Sequence, residues 1–173
     1  MNFTLQFRLS IFIFVLALIA SSTGLFSPSV YRETSWVIPQ NRGQDLVTLL
    51  SLFIFAPISI RANQGSLRAY LIWLGLVGYL CYTYTGAAFA YGFNELFPVY
   101  LALFSLTGTS LIVGLTTASR YVHSAAFSKQ TPRVVVAVFL FTMAGMLATM
   151  WISQIAGFYL TGELPERIGN STA

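Results

Sequence analysis

The sequence predicts an all-α integral membrane bundle of about five transmembrane helices, with the N-terminus cytoplasmic and the C-terminus outside. Three observations carry this. Of the 173 residues 56% are hydrophobic and only 8% charged, against about 25% charged in an ordinary soluble domain. The apolar residues gather into runs near 5–26, 44–60, 67–91, 98–119 and 134–160, joined by short connections with no Gly/Ser linker. A helix rises about 1.5 Å per residue, so runs of roughly twenty residues cross the hydrocarbon. The basic and acidic residues, finally, alternate between successive connections in a way that five crossings explain. Residues 1–173 therefore read as one transmembrane bundle.

The first run is centred on Leu9 to Ala20 and has Arg8 just inside its start. A short basic flank followed by small residues at Ala20, Ser21 and Ser22 also suits a cleaved signal peptide. The expectation adopted is a retained first span.

Ser27 to Gly43 reads as a polar connection, with Tyr31 and Trp36 where aromatic rings favour the headgroup zone. The second run, Gln44 to Ile60, is short and carries Pro57, whose missing N–H interrupts the helical ladder. Broken spans can mark binding sites in transporters, but such a proline more often only kinks a helix near its end.

Arg61 to Ser66 is a tight polar turn into the third run, which carries no charge from Ala69 to Phe93. At about 100° per residue, Tyr70, Trp73, Tyr84 and Tyr91 share one face of this helix. Gly75, Tyr79, Tyr82 and Gly86 share another. Cys81 is a lone cysteine without a disulfide partner.

Pro98 suits the first turn of the fourth helix, where its absent N–H has no partner to lose. Along that helix Thr107, Ser110, Gly114 and Thr117 recur at spacings of three and four, a seam of small residues that should face another helix. The fifth span repeats the device with Thr142, Gly145, Thr149 and Ala156.

Charge placement orients the spans. Arg8, Arg61, Arg68, Arg120, Lys129 and Arg133 fall on one side, and Arg32, Arg42 and Arg167 on the other. By the positive-inside rule the first side is cytoplasmic. Glu33, Asp45, Glu95, Glu163 and Glu166 all lie on the second side. The expected location is a cell membrane, the inner membrane of a prokaryote. There the Asn170-Ser171-Thr172 triplet has no glycosylation meaning.

The chemistry-bearing residues mostly exclude functions. His123 is the only histidine, so one chain can build neither a bis-histidine haem nor a His-based zinc site. Lys129 is the only lysine and lies outside the spans, which leaves a retinal-type Schiff base without an anchor. Phosphate-binding glycine loops and the GxSxG and HExxH patterns are absent. No carboxylate sits in the middle of a span, so proton-coupled transport lacks its usual instrument. The net charge of +4 is scattered between apolar runs, which argues against nucleic acid as a partner. No cofactor and no metal are expected, and the chain reads as a non-enzyme.

What remains is a polar cluster at the outer surface: Arg42, Gln44, Asp45, Asn94, Glu95 and Gln154. It reads either as a vestibule for a polar head or ion, lined below by Tyr79, Tyr82 and Tyr84, or as ordinary charge near helix N-termini. Favourable dipole interactions of about 0.3 to 1 kcal/mol explain Asp45 and Glu95 there, with Arg42 paired to one of them.

The segments ETSWVIPQNRGQDLVTLL and GYLCYTYTGAAFAYGFNELFPVYLALFSL resemble a loosely defined group of prokaryotic multi-pass membrane proteins. In that group an RGQDLVTL-like entry to the second helix and a tyrosine-rich third helix ending in FN.LF recur, and its members run on for further spans. The resemblance implies a helical membrane bundle and no particular activity. Two functions follow as expectations. One is an accessory or scaffold subunit whose seams pack against other copies or other membrane subunits, with lipid as its surroundings. The other is a small-solute or ion channel or transporter with the outer vestibule at its mouth.

Overall fold

The computed structural model of the chain describes residues 3–27, 29–33, 35, 37–121 and 133–162. Trp36, His123, Ser128, Lys129, Glu163, Glu166, Arg167 and the Asn170-Ser171-Thr172 triplet lie outside them. The described residues form five α-helices and no strand: α1 (Thr4–Phe26), α2 (Ile38–Asn63), α3 (Leu67–Phe89), α4 (Phe97–Tyr121) and α5 (Arg133–Thr161). All five are long and apolar enough to cross a membrane. The chain divides into two compact units, Met1–His123 and Ser124–Ala173.

In the first unit α1 packs on α2, α2 on α3, α3 on α4, and α4 back on α1. Each helix turns a narrow stripe inward. On α1 that stripe is Gln6, Ser10, Ile13, Ala17, Ala20, Ser21 and Gly24; on α2 it is Asn41, Thr48, Leu52, Phe55, Ser59 and Ala62. The spacings of three and four are helical, and on α1 and α2 small or hydroxyl-bearing residues make up most of the stripe, between Ile13, Leu52 and Phe55. Many bulky apolar side chains point the other way, as at Phe12, Phe53 and Ile112. This inverted pattern suits a hydrocarbon surround, where close approach of backbones replaces water exclusion as the source of packing energy.

Several hydroxyls on these stripes are satisfied within their own helices, whereas the fully buried Ser110 Oγ on α4 has no hydrogen-bond partner. Ser10 donates to the Gln6 carbonyl, Ser59 to that of Phe55 and Thr107 to that of Leu103. Between the two ends the unit is filled with hydrocarbon from Ile13, Leu52, Phe55, Val77, Leu80 and Leu103, each no more than 2% exposed.

Helix α2 begins at Ile38 instead of near Gln44 and ends at Asn63 instead of Ile60. Pro39 explains the early start, since it occupies the first turn, where no N–H is needed. The helix also runs on through Pro57, which costs the ladder only the bond to the Phe53 carbonyl. Its late end is fixed by Gly65, at φ 93°. The N–H groups of Gly65 and Ser66 bond the carbonyls of Ala62 and Arg61 at 3.0 and 3.2 Å, a Schellman closure. Ser66 then caps α3 by accepting from the Ala69 N–H at 3.3 Å.

The connection after α1 is less superficial than its polarity suggests. Val30 and Tyr31 are buried, so Tyr31 is a core residue and does not sit exposed at a headgroup surface. At the end marked by Arg61, an aromatic knot ties three helices. Phe3 meets Tyr70 and Trp73 edge-on, with ring centroids 5.5 and 4.8 Å away. Trp73 Nε1 donates to Ser10 Oγ at 2.8 Å, and the Tyr70 hydroxyl donates to the Gly114 carbonyl at 2.7 Å.

In the second unit α5 is a continuous apolar helix. Thr149 Oγ1 donates to the Gly145 carbonyl at 2.8 Å within it.

Candidate functional site

The end of the first unit marked by Tyr31 collects most of its polar chemistry. Here α1 and α3 finish, α2 and α4 begin, and Val30, Tyr31, Asn94 and Leu96 of the connections after α1 and α3 are buried. The Tyr31 hydroxyl donates to the Asp45 carboxylate. Burial raises the Tyr31 phenol well above its ordinary pKa, so it stays a donor. Gly24 makes this contact possible: a Cβ there would overlap Asp45 Oδ2 and come within 2.6 Å of the Tyr31 hydroxyl.

Three more tyrosine rings continue from this pair. Tyr31 meets Tyr91 at 5.9 Å, Tyr91 meets Tyr100 at 6.1 Å, and Tyr100 stacks with Tyr84 at 6.3 Å. Tyr84 in turn stands 3.5 Å from Ser21 Oγ. Burial and the carboxylates of Asp45 and Glu33 push Tyr91 up to about 12.

A second network ties α2 to α3. Gln44 Nε2 donates to the Tyr79 hydroxyl at 2.7 Å and to Thr83 Oγ1 at 3.1 Å, and Thr48 Oγ1 stands 3.1 Å from the same tyrosine. Such a network holds two helices in register, at about 0.6 kcal/mol per bond in membrane proteins.

Beside these satisfied groups are orphans. Asn41 Nδ2, Arg42 Nε, Glu33 Oε2, Asn94 Nδ2 and the Tyr100 hydroxyl are buried without a hydrogen-bond partner. Asn41, Asn94 and Tyr100 are all at least nine-tenths buried. Native proteins rarely leave such atoms unpaired, so this end is chemically suited to ordered water or a small polar guest. On the outside of the same end a groove of about 520 Å³ runs past Gln44, Tyr82, Thr83, Gly86, Phe89 and Tyr91.

The residues singled out from sequence divide accordingly. Arg42, Gln44, Asp45 and Asn94 do come to one end of the unit. Asp45 is held by Tyr31, not by Arg42, and Asn94 accepts from the Leu96 N–H at 2.9 Å. Glu95 is exposed and pairs with Arg32 at 3.6 Å, an arrangement worth little in water. Gln154 belongs to the second unit, on α5.

Tyr79, Tyr82 and Tyr84 do not line one pocket. Tyr79 is tied to Gln44, Tyr84 faces Ser21, and Tyr82 is 79% exposed in the outer groove. Helical phase explains the departure of Tyr84, which lies about 140° round the axis from Tyr79 and about 160° from Tyr82, whereas Tyr79 and Tyr82, about 60° apart, part because only Tyr79 is turned onto Gln44 and Thr48 of α2.

The α4 seam is spent inside the first unit. Thr107 and Ser110 are fully buried, and Gly114 lies against Leu74 and Trp73 of α3. Thr117 accepts from Gln6 Nε2 at 3.4 Å. Thr142, Gly145 and Thr149 lie along α5 at spacings of three and four.

Nothing in the sequence marks Tyr100, Gly24 and Asn41 as site residues, and it marks Tyr31 only as an aromatic of the headgroup zone. Gly24 does continue the small-residue period of Ala17 and Ala20, which was the available signal. Among the described residues no cluster of His, Cys, Asp and Glu could hold a metal ion. No protein-family model, curated protein or solved structure matches the chain.

Proposed function

We propose that the chain is a non-enzymatic accessory or scaffold subunit of a membrane assembly, inserted with its N-terminus in the cytoplasm of a prokaryotic cell. The observation that carries this reading is how the first unit uses its polar groups. Gln44, Tyr79, Ser10, Trp73, Tyr70 and Asp45 are engaged in bonds between helices or to the connection over them. Between the two ends Ile13, Val77, Leu80 and Leu103 close the interior with hydrocarbon. A pathway for polar solutes needs the reverse, a row of polar groups lining a hydrated passage.

The seam at Thr142, Gly145 and Thr149 is the natural place for a partner span to approach closely. Native mass spectrometry of the protein extracted with its surrounding lipid tests the reading. The expected result is a complex mass or a discrete second polypeptide, lost with Gly145→Leu. A lone chain whose mass that substitution leaves unchanged overturns it.

The orphaned Asn41, Asn94 and Tyr100 atoms and the adjoining groove favour a second reading, a small-solute or ion pathway entered from that end. It requires flux in reconstituted vesicles that Arg42→Ala alters. Flux no greater than in protein-free vesicles, across small ions and neutral solutes, eliminates it.

A further inference from the structure

At the Arg61 end, α1 and α2 part to leave a groove of about 160 Å³ between Phe7, Ile11 and Phe14 on one side and Phe55, Ala56 and Ile60 on the other. The two helices run antiparallel, because Gly24 meets Asp45 at one end while Phe7 to Phe14 line this groove with Phe55 to Ile60 at the other. Two serines, Ser10 and Ser59, also stand in its wall. Both are turned away from any guest: Ser10 donates to the Gln6 carbonyl and Ser59 to that of Phe55, each at 2.7 Å, and Ser10 also accepts from Trp73. The wall therefore offers carbon and asks for no hydrogen bond. A hydrocarbon chain fits that chemistry and a polar solute does not.

The mouth of the groove has the opposite character. Arg8 follows Phe7 on α1 and Arg61 follows Ile60 on α2, both exposed, so two basic residues stand at the same level as the end of one apolar slot. No acidic residue occurs in the described segments 3–27 or 46–89 that form this end. Guanidinium groups recognise phosphate through paired N–H donors, and basic clusters beside membrane helices attract anionic headgroups. We propose that the α1–α2 groove is a binding site for an anionic glycerophospholipid, one acyl chain lying between Phe7 and Phe55 and the phosphate meeting Arg8 and Arg61. The site requires insertion of α1 and α2 in a membrane but not the scaffold role.

The full chain, purified in mild detergent and titrated with phosphatidylglycerol or phosphatidylcholine of identical acyl chains, tests this by native mass spectrometry. One phosphatidylglycerol is expected to persist at collision energies that strip phosphatidylcholine. Arg8→Gln with Arg61→Gln should lower its apparent affinity roughly 10- to 30-fold and remove the headgroup preference, given the attraction of about one basic side chain each. Ala56→Trp should fill the slot and abolish retention of either lipid.

Because a filled slot can disturb folding, Ile11→Trp on the exposed lip of the groove serves as a second filling variant. A separate readout uses Trp73, whose indole is bonded to Ser10 behind the wall. In a chain carrying Trp36→Phe and Trp151→Phe, a dibrominated phosphatidylglycerol tail should quench Trp73 at lower mole fraction than the phosphatidylcholine equivalent. Equal retention and equal quenching by the two lipids in the otherwise unaltered chain overturn the proposal. So does quenching of Trp73 that neither the double arginine variant nor a folded slot-filling Ala56→Phe variant, which adds no second indole, changes.

Discussion

Tyr31 and Asp45 show how much one missing Cβ can support. The hydroxyl reaches the carboxylate only because Gly24 leaves room beneath both. Gly24→Ala is expected to cost about 1–3 kcal/mol through overpacking. Tyr31→Phe should cost a similar amount, about 1–3 kcal/mol, by leaving a partly buried carboxylate without its donor. Both losses are read as lowered thermal midpoints in lipid nanodiscs, and because the two changes strike one contact, their effects combined should fall short of additive. Full additivity would show that Gly24 serves some other contact. None of this geometry was legible beforehand: Tyr31 lies in a connection without periodicity, and a loop folding back onto a helix fourteen positions later leaves no mark in hydropathy.

At the level of elements, the ends of α2 set two substitutions in opposition. Gly65, at φ 93°, closes the helix, and Gly65→Ala should cost about 1 kcal/mol because an L side chain resists that conformation. Pro57 lies inside a helix that continues through it, so Pro57→Ala should raise the thermal midpoint by restoring a ladder bond. A lowered midpoint would instead mark Pro57 as fitted to a neighbour. Sequence gave fair access to this level. Run length and hydropathy located all five helices, while Pro39 misled the start of α2 because a proline ends one helix and begins another equally well. The period of Thr107, Ser110 and Gly114 identified a packing seam, but not which helix would meet it. That choice depends on the three-dimensional order of the helices, and Gly114 turns out to serve α3 of its own chain, with Tyr70 bonded to its carbonyl. Gly114→Leu would therefore disturb the first unit itself.

The whole molecule is best tested by its orientation. The six basic residues assigned to one side include Lys129, Arg61 near the end of α2 and Arg68 near the start of α3. With Cys81→Ala to remove the native thiol, Ser128→Cys should escape a membrane-impermeant thiol reagent in intact cells and react once the membrane is opened. Ready labelling of intact cells would reverse the assignment. The candidate site was half legible at this scale: charge segregation brought Arg42, Asp45 and Asn94 to one end, whereas the tyrosines parted because they leave α3 in different directions.

The turn between α2 and α3 leaves no spare link. Ser66 donates its N–H to close α2 and lends its hydroxyl to open α3, so the two helices share a single residue as clasp. Twisting one about its axis must drag the other. One alanine inserted after Gly65 would separate the bond that closes α2 from the one that opens α3, and α3 would keep Tyr70, Trp73, Val77 and Leu80 on the interior only by rebuilding both. The length of this turn thus acts as a phase setting for the four-helix unit, as exacting as any side chain within it.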